Sequence, residues 1–291
     1  MKKIKSFSGR RPKTAFLRHK GLSLFLRFLV FASAAMTIFV ILFLVGYIAF
    51  KGIPYISPGL FAWQYTSENV SLMPAFINTI IVTAAALLIA VPAGVFAAVW
   101  LAEYARKGSR LVLAVALAAE TLAGIPSIIY GLFGMLLFVI SLGWGYSLLA
   151  CTLTLAIMIL PLIMRTTEEA LRSVPDSYRE GSFGLGAGKL RTVFAVALPS
   201  AMPGILAGVI LATGRIVGET AALIFTAGTV AKLPGSPFSS VRTLAVHMYS
   251  LSSEGLYINQ AYATAVFLLV LVIAINGLSA FVAKKVAGKL A

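Results

Sequence analysis

Charged residues are scarce in this sequence. Only 11% of the 291 residues are charged, whereas soluble domains carry about a quarter. Hydrophobic residues make up 60%, and the mean hydropathy is +0.97. This composition excludes an ordinary soluble domain and indicates an integral membrane protein.

Acidic residues are the scarcest charged type, with nine Asp and Glu against 24 Lys and Arg. The net charge of +15 would suit a nucleic-acid partner if the basic residues shared one surface. Instead, nine of them lie in residues 1–27, and most others stand at the ends of apolar runs. That pattern follows membrane topology, so no nucleic-acid partner is expected.

Cysteine and histidine are nearly absent. The single cysteine, Cys151, lies in an apolar run, which excludes an internal disulfide and suggests a small structural side chain. His19 and His247 are far apart in the chain, and both are expected at the surface. No metal site is expected, and no constellation of catalytic groups supports an intramembrane enzyme.

Long apolar segments dominate what is present. A membrane span needs about 20 apolar residues, and six segments are long enough. They are residues 24–50, 74–101, 111–140, 147–165, 198–226 and 261–283. The first is too long to be the apolar core of a signal peptide. We therefore predict an all-α, polytopic membrane protein with six transmembrane helices, with kinks at Pro92, Pro126, Pro161 or Pro203.

The distribution of basic residues predicts the orientation. Segments on one side hold 18 Lys and Arg: residues 1–23, 102–110, 166–197 and 284–291. The opposite segments hold only Lys51, Lys232 and Arg242. The positive-inside rule places both termini in the cytoplasm. The predicted organisation is a basic tail, a six-span domain with a cytoplasmic loop, and a short second tail: 1–23, 24–283 with loop 166–199, and 284–291.

Each side has one long loop. On the outside, residues 228–260 are expected to hold a short helix around 240–251. In the cytoplasmic loop, Pro175 blocks continuation of the incoming helix, and Ser177 with Glu180 fits a capping box. Gly186 and Gly188 favour a C-terminal turn, so a short helix is predicted within 176–190. It could dock a partner or merely satisfy the backbone of the loop.

The glycine-rich end of this loop, "GLGAGK", does not fit a phosphate-binding loop. Such a loop needs Gly and Ser or Thr where Phe183 and Leu190 stand, and no strand precedes it. The chain itself is therefore expected to bind no nucleotide and to hydrolyse no ATP.

The spacing of "EGSFGLGAGKLRTVFAVALP" resembles the loop signature of ABC-importer permeases. Seven positions match it: Glu180, Gly181, Ser182, Gly186, Val196, Leu198 and Pro199. The resemblance implies the type I importer permease fold, with the short helix as the coupling helix that docks on an ATPase. It also implies that Tyr178 and Phe183 fill the groove of that ATPase and that Mg-ATP is bound by the ATPase alone.

Two charges interrupt the fifth apolar segment, in "LATGRIVGETAALIF". Arg215 and Glu219 are four residues apart, so on one helix they share a face and can pair. They would then either hold the bundle together or mark a substrate pathway. The guanidinium suits a small tetrahedral oxyanion, and a carboxylate nearly as well.

Two stretches, "GRIVGETAALIFTAG" and "LAGIPSIIYGLFG", resemble spans of phosphate-importer permeases of the PstA type. This resemblance implies a phosphate pathway that includes Arg215, Glu219 and Thr220. Glu120 either faces that pathway or lies at ordinary surface, and Ser127 and Asn78 either line it or bond a neighbouring helix. The alternatives are a permease for sulfate, molybdate or phosphonate, and the sister phosphate permease.

The same resemblance implies the partners and the location. They are a second permease subunit, two ATPase subunits and an extracytoplasmic phosphate-binding protein, in the cytoplasmic membrane of a bacterium or archaeon. A standalone channel is a further possibility, but it gives no reason for the cytoplasmic loop.

Overall fold

Helices form all the regular structure in residues 13–106 and 108–290, the part of the chain that the computed structural model describes. The α-helices are α1 (Lys13–Gly52), α2 (Met73–Val99), α3 (Arg110–Ala123), α4 (Ser127–Gly134), α5 (Leu148–Arg172), α6 (Asp176–Gly184), α7 (Lys189–Thr192), α8 (Leu198–Val217), α9 (Ala221–Ile224), α10 (Leu244–Glu254) and α11 (Ile258–Leu290). Residues 1–12 of the predicted basic tail lie outside the described residues.

Three π-helical turns extend these helices. They are Trp100–Tyr104 after α2, Met135–Ser141 after α4, and Val193–Ala197 between α7 and α8. Such turns insert a residue into a helix and are frequent at functional sites. The first of them carries an acidic side chain, Glu103.

The first apolar helix belongs to a compact unit that ends at Phe50. Its apolar stretch, Leu22–Tyr55, has a mean hydropathy of 2.8 over its best window. Three aromatic rings stack along one face: Phe39 on Phe43 at 6.1 Å between centroids, and Phe43 on Tyr47 at 6.2 Å. The stretch is long enough to cross a bilayer by itself.

In the second unit, which begins at Lys51, α5 is the central helix. It packs against α2, α3, α4 and α8, and 61% of its apolar window is buried. Alanines of α2 at a spacing of four, Ala86 and Ala90, face the large apolar side chains of α5, such as Leu155 and Ile159. Small residues on one helix let the two backbones approach closely.

In the described part of the chain, five continuous helices are long and apolar enough to cross a membrane: Leu22–Tyr55, Met73–Tyr104, Leu148–Arg172, Lys189–Val217 and Ile258–Lys285. A sixth candidate is the pair Arg110–Ala123 and Ser127–Ser141, which is bent by 101°. The predicted span 111–140 is therefore bent at Pro126, one of the predicted kink sites, and the bend is sharp enough to divide it into two helices. Pro126, which has no N–H, stands at the break and begins a new helix.

The predicted fifth span, 198–226, also has different limits. The helix begins at Lys189 and ends at Val217, with Gly218 at its C-cap, and residues beyond it form only the short α9. Two other helices extend further than predicted at their C-terminal ends. The fourth span continues to Arg172, and α11 continues to Leu290, through most of the predicted tail.

The loop helix forms at the predicted place but is shorter than 176–190, because α6 ends at Gly184. The predicted capping box is wrong, since Pro175 occupies the N-cap and no side chain caps the helix. Gly186 adopts a left-handed φ of +81° after the helix, as expected for a glycine turn. Gly188 instead stands at the N-cap of α7.

Candidate functional site

Two broken helices meet at the candidate site. One break, at residues 124–126, separates α3 from α4, and the other, at 218–220, separates α8 from α9. The short helices α4 and α9 pack against each other. Irregular backbone at membrane depth is tolerated where it is buried in protein or lines a cavity.

Two glycines of α4 make this packing possible. A Cβ on Gly131 would lie 2.7 Å from the Cα of Ala222 and 3.1 Å from the carbonyl oxygen of Ala221. A Cβ on Gly134 would collide with the hydroxyl of Thr154 and lie 2.8 Å from Thr226 Cγ2. The segment after the α8 break is therefore held directly against α4.

Arg215 lies in the last turn of α8, before the break, and is half-buried. Its guanidinium has no hydrogen bond and no ion pair within residues 13–106 and 108–290. It lies within electrostatic range of Tyr130 in α4, whose hydroxyl donates to the Leu122 carbonyl at 2.7 Å. The donors of Arg215 are therefore available to a ligand.

Glu219 lies after the break and is only 8% exposed. Its Oε1 accepts a hydrogen bond from the N–H of Ala222 at 3.1 Å, in the first turn of α9. The prediction that Arg215 and Glu219 share a helix face and can pair is wrong, because α8 ends between them. The next residue, Thr220, is half-buried, with its hydroxyl 3.5 Å from the carbonyl of Gly218.

The other two predicted pathway residues lie on the α3–α4 pair. Ser127 is the first residue of α4 and is half-buried. Glu120 is exposed near the end of α3, in a cleft of 280 Å³ whose lining does not include Arg215 or Glu219. That cleft is lined by Ala116, Ala119, Glu120, Met164, Arg165, Glu168, Glu169 and Arg172.

The predicted coupling residues occupy an exposed segment. No residue of α6 is buried, and Glu180 and Gly181 face solvent. Tyr178 is 54% exposed and Phe183 is 48% exposed. The exposed apolar surface continues through Leu185, which is 91% exposed.

The last two of the predicted coupling residues, Ser182 and Pro199, are less exposed. Ser182 Oγ lies 2.9 Å from Thr192 Oγ1, which joins α6 to α7. Pro199 is the second residue of α8 and is half-buried.

Sequence reasoning missed two charged residues that join α6 to the end of α2. Arg179 of α6 and Glu103 of the π-helical turn after α2 form an ion pair, with 2.7 Å between Nη2 and Oε1. Their side chains are only 16% and 8% exposed. The scarcity of acidic residues could have pointed to Glu103, since a lone Glu at the end of a span needs a positively charged partner.

The opposite end of α2 is bonded to the long loop before α11. Asn78 Nδ2 donates to the carbonyl oxygens of Lys232, at 2.9 Å, and Arg242, at 3.2 Å. The N–H of Leu244 donates to Thr79 Oγ1 at 2.9 Å. Asn78 thus bonds a neighbouring element, which is the second of the two roles considered for it.

A buried aromatic and basic cluster lies in this loop. Arg242 donates from Nε to the Thr229 carbonyl at 2.6 Å, lies over the Tyr65 ring, and approaches His247 Nδ1 at 3.4 Å. His247 is fully buried, so its predicted surface position is wrong. Burial, and secondarily the charge of Arg242, lowers the pKa of His247 to about 4.

Within the described ranges, no group of three or more His, Cys, Asp or Glu residues could hold a metal ion. The free Cys151 is buried in the core of the bundle.

Comparison with known proteins identifies relatives over most of the chain. The family model "Binding-protein-dependent transport system inner membrane component" matches residues 90–288. The "Probable ABC transporter permease protein YqgI" of Bacillus subtilis is 35% identical, over 77% of this chain and 81% of that protein. The "Phosphate transport system permease protein PstA 2" of Mycobacterium bovis is 32% identical, over 79% of this chain and 78% of that protein.

Another relative, the "Phosphate transport system permease protein PstA" of Xylella fastidiosa, is 38% identical over 61% of this chain and 62% of its own length. Among solved structures, a bacterial ABC transporter involved in the import of the acidic polysaccharide alginate aligns with a TM-score of 0.66. That alignment covers 92% of this chain and 99% of the other at 17% identity, so it concerns the fold alone.

Proposed function

The chain belongs to the binding-protein-dependent transport system inner membrane components, and we propose that it forms the phosphate pathway of an ATP-driven importer. Members of this family are permease subunits of ABC importers with the type I fold. They are membrane components rather than enzymes, and they work with a partner ATPase and a substrate-binding protein.

One observation carries the choice of an anion pathway: the guanidinium of Arg215 lies in an apolar span without a protein partner in the described residues. An unpaired charge at membrane depth is costly, and charged residues there generally mark a substrate path. A helix break begins three residues after it, and Thr220 lies in that break; Ser127 begins α4, which packs against the short α9 beyond the break.

Phosphate suits this arrangement because its oxygens accept paired hydrogen bonds from the planar fork of arginine. Relatives that are named phosphate transport permeases support the same choice. Arg215 would bind the anion, while Glu219 would hold the segment 219–222 in position through its bond to Ala222. Sulfate, molybdate and phosphonate share this chemistry and serve as competitors in the test.

The remaining parts of the proposal concern assembly. A second permease subunit would complete the pathway, and two ATPase subunits would dock on the exposed apolar side chains of α6. Both termini and α6 would then face the cytoplasm, as the distribution of basic residues indicates. The loop before α11 would face the binding protein.

Phosphate uptake by cells that carry Arg215→Gln tests the pathway. Loss of a charged hydrogen bond to substrate lowers uptake about ten- to a hundredfold. Arg215→Lys keeps the charge without the fork and should recover only part of the uptake. Lys232→Gln, which removes an exposed positive charge near the outer end, is the control. Normal uptake by an assembled Arg215→Gln complex would refute the proposal.

Competition identifies the anion. In cells with the native chain, excess unlabelled phosphate should abolish uptake of labelled phosphate, and sulfate and molybdate should not. Competition by sulfate or molybdate at concentrations similar to those of phosphate would replace phosphate with another oxyanion.

A further inference from the structure

One side chain of α6, that of Arg179, joins the helix to two other elements and is only 16% exposed. Arg179 donates from Nη2 to Glu103 Oε1 at 2.7 Å and from Nε to the same oxygen at 3.1 Å. Its Nη1 donates to the carbonyl of Val174 at 2.8 Å, and Nη2 donates to that of Leu171 at 2.8 Å. These carbonyls belong to the C-terminal end of α5 and the residues that follow, where a positive charge is favourable.

Apolar packing contributes little to the position of α6, because none of its residues is buried. Asp176, in the first turn of the same helix, is 3.2 Å from Arg179 Nη1 but is itself 85% exposed. The guanidinium of Arg179 therefore joins three elements: α6, the end of α5 and the π-helical turn after α2.

The same turn contacts the chain a second time. The ammonium of Lys189, at the start of α7, lies over the ring of Tyr104 at 4.9 Å from the centroid. Glu103 and Tyr104 are neighbours in sequence, so the π-helical turn after α2 contacts both ends of the segment between Arg179 and Lys189. If this segment moves, the force reaches α2 through the turn that contains Glu103 and Tyr104.

The α2 helix reaches from this turn to the loop before α11. Met73–Tyr104 is helical over 32 residues, and its other end bonds residues 232–244 through Asn78 and Thr79. A helix of this length spans about 48 Å, enough to cross a bilayer. Residues 176–192, from α6 to α7, form the coupling segment, and residues 228–257, before α11, form the outer loop. The two are thus connected to opposite ends of the same helix.

We propose that the ion pair between Arg179 and Glu103 transmits movement of the coupling segment to α2, which carries it to the outer loop. This inference rests on the proposed function, since it requires an ATPase that moves α6. Arg179 and Glu103 are positioning residues in this account, and neither touches the transported anion. Breaking the pair would leave the ATPase docked and active while it separates hydrolysis from transport.

The test uses the complete importer in proteoliposomes, with both permeases, the ATPase and the binding protein. Glu103→Gln keeps the size and an acceptor oxygen but removes the charge. ATP hydrolysed per phosphate imported should rise about tenfold, in the range of allosteric coupling between sites. The amount of ATPase bound should remain within about twofold of the native amount. Arg191→Gln, an exposed arginine on the same segment, should behave as the native chain does.

The charge-reversed double variant Glu103→Arg with Arg179→Glu tests whether the pair acts as a unit. Each single reversal places two like charges together and should abolish coupling, whereas the double variant should recover at least part of it. A merely structural role would show as reduced assembly, without a changed ratio of ATP to phosphate in the complexes that do form.

A second readout does not depend on phosphate. A cysteine at position 220, introduced by Thr220→Cys, should react faster with an external membrane-impermeant maleimide when vanadate traps the ATPase. The unmodified chain, whose Cys151 is buried, gives the background. Adding Glu103→Gln should abolish the acceleration.

These outcomes separate the two proposals. If the Thr220→Cys complex shows this acceleration while the native complex imports no phosphate, the phosphate assignment is refuted and the ion-pair proposal stands. A native ratio of ATP to phosphate and a native acceleration in Glu103→Gln would refute the ion-pair proposal alone. Absence of any acceleration in the chain with Thr220→Cys alone would refute it as well, because no movement would reach the site.

Discussion

Arg215 and Glu219 lie on either side of the end of α8 and form no ion pair, although only four residues separate them in the sequence. Val217 is the last residue of the helix, and Gly218 occupies its C-cap. The carboxylate of Glu219 instead accepts from the N–H of Ala222. The break thus separates the two side chains: Arg215 makes no hydrogen bond or ion pair within the described residues, and Glu219 bonds the backbone that follows.

The role of Glu219 as the hydrogen-bond acceptor of the Ala222 N–H can be tested. Glu219→Gln keeps an acceptor oxygen for the Ala222 N–H and should retain uptake within about threefold. Glu219→Ala should lose about tenfold, since leaving a buried N–H without its acceptor costs about 1–3 kcal/mol. Initial rates of phosphate uptake at matched protein levels measure both. Equal loss in the two variants would mean that the charge of Glu219, rather than its hydrogen bond, is required.

Gly131 should tolerate no side chain. In Gly131→Ala the new Cβ meets the backbone of Ala221 and Ala222, so α9 must shift, at an expected destabilisation of about 1–3 kcal/mol. We expect a lower melting temperature in detergent and reduced uptake. Gly277→Ala in α11, whose Cβ meets nothing within 4 Å, should be neutral or slightly stabilising.

The exposed side of α6 should be required for docking of the ATPase. Phe183→Ala removes a half-exposed ring without opening a core cavity and should reduce the ATPase that copurifies by about tenfold, as for an interface anchor. Leu113→Ala, a similarly exposed apolar residue on α3, provides the comparison. If both variants retain the ATPase equally, α6 is not the docking helix.

The cluster of Tyr65, Arg242 and His247 should lose stability in mild acid. His247 has a pKa of about 4 when folded against an ordinary value of 6.5, so between these values only the unfolded form binds the proton. Stability contributed by neutral His247 is therefore complete above about pH 6.5 and declines as the pH falls toward 4.

From about pH 7 to about pH 5 the expected loss is about 2 kcal/mol. Hydrogen exchange of α10, which contains His247, measures it. His247→Gln has no titrating ring and should abolish most of this pH dependence. An unchanged slope in that variant would assign the acid sensitivity to other groups.

Much of the membrane architecture could be predicted because apolar length is a local property. Five of the six predicted segments correspond to continuous helices, and the sixth corresponds to the bent pair at Pro126. The break after Val217 was missed because hydropathy does not register a helix end inside an apolar run. The capping box at Ser177 was placed two residues too late, since Pro175 itself occupies the N-cap.

The candidate site was predicted in part. Arg215 was identified because a charge in an apolar run is conspicuous, and Asn78 because amides in membrane helices generally find a partner. The pair of Arg179 and Glu103 joins residues 76 apart in the chain, and no periodicity connects them. His247 was placed at the surface because its burial depends in part on Tyr65, which comes from a distant segment of the chain.

The sequence by itself determined the all-α membrane class, the approximate spans, the short loop helix and the family signature, because these depend on apolar length, glycine and proline chemistry and spacing within one segment. Only the tertiary structure decided that α8 ends before Glu219, that Glu120 lies in a separate cleft, and that Arg179 binds Glu103. These relationships depend on how remote helices pack, where each buried polar group must find a partner that the chain brings to it.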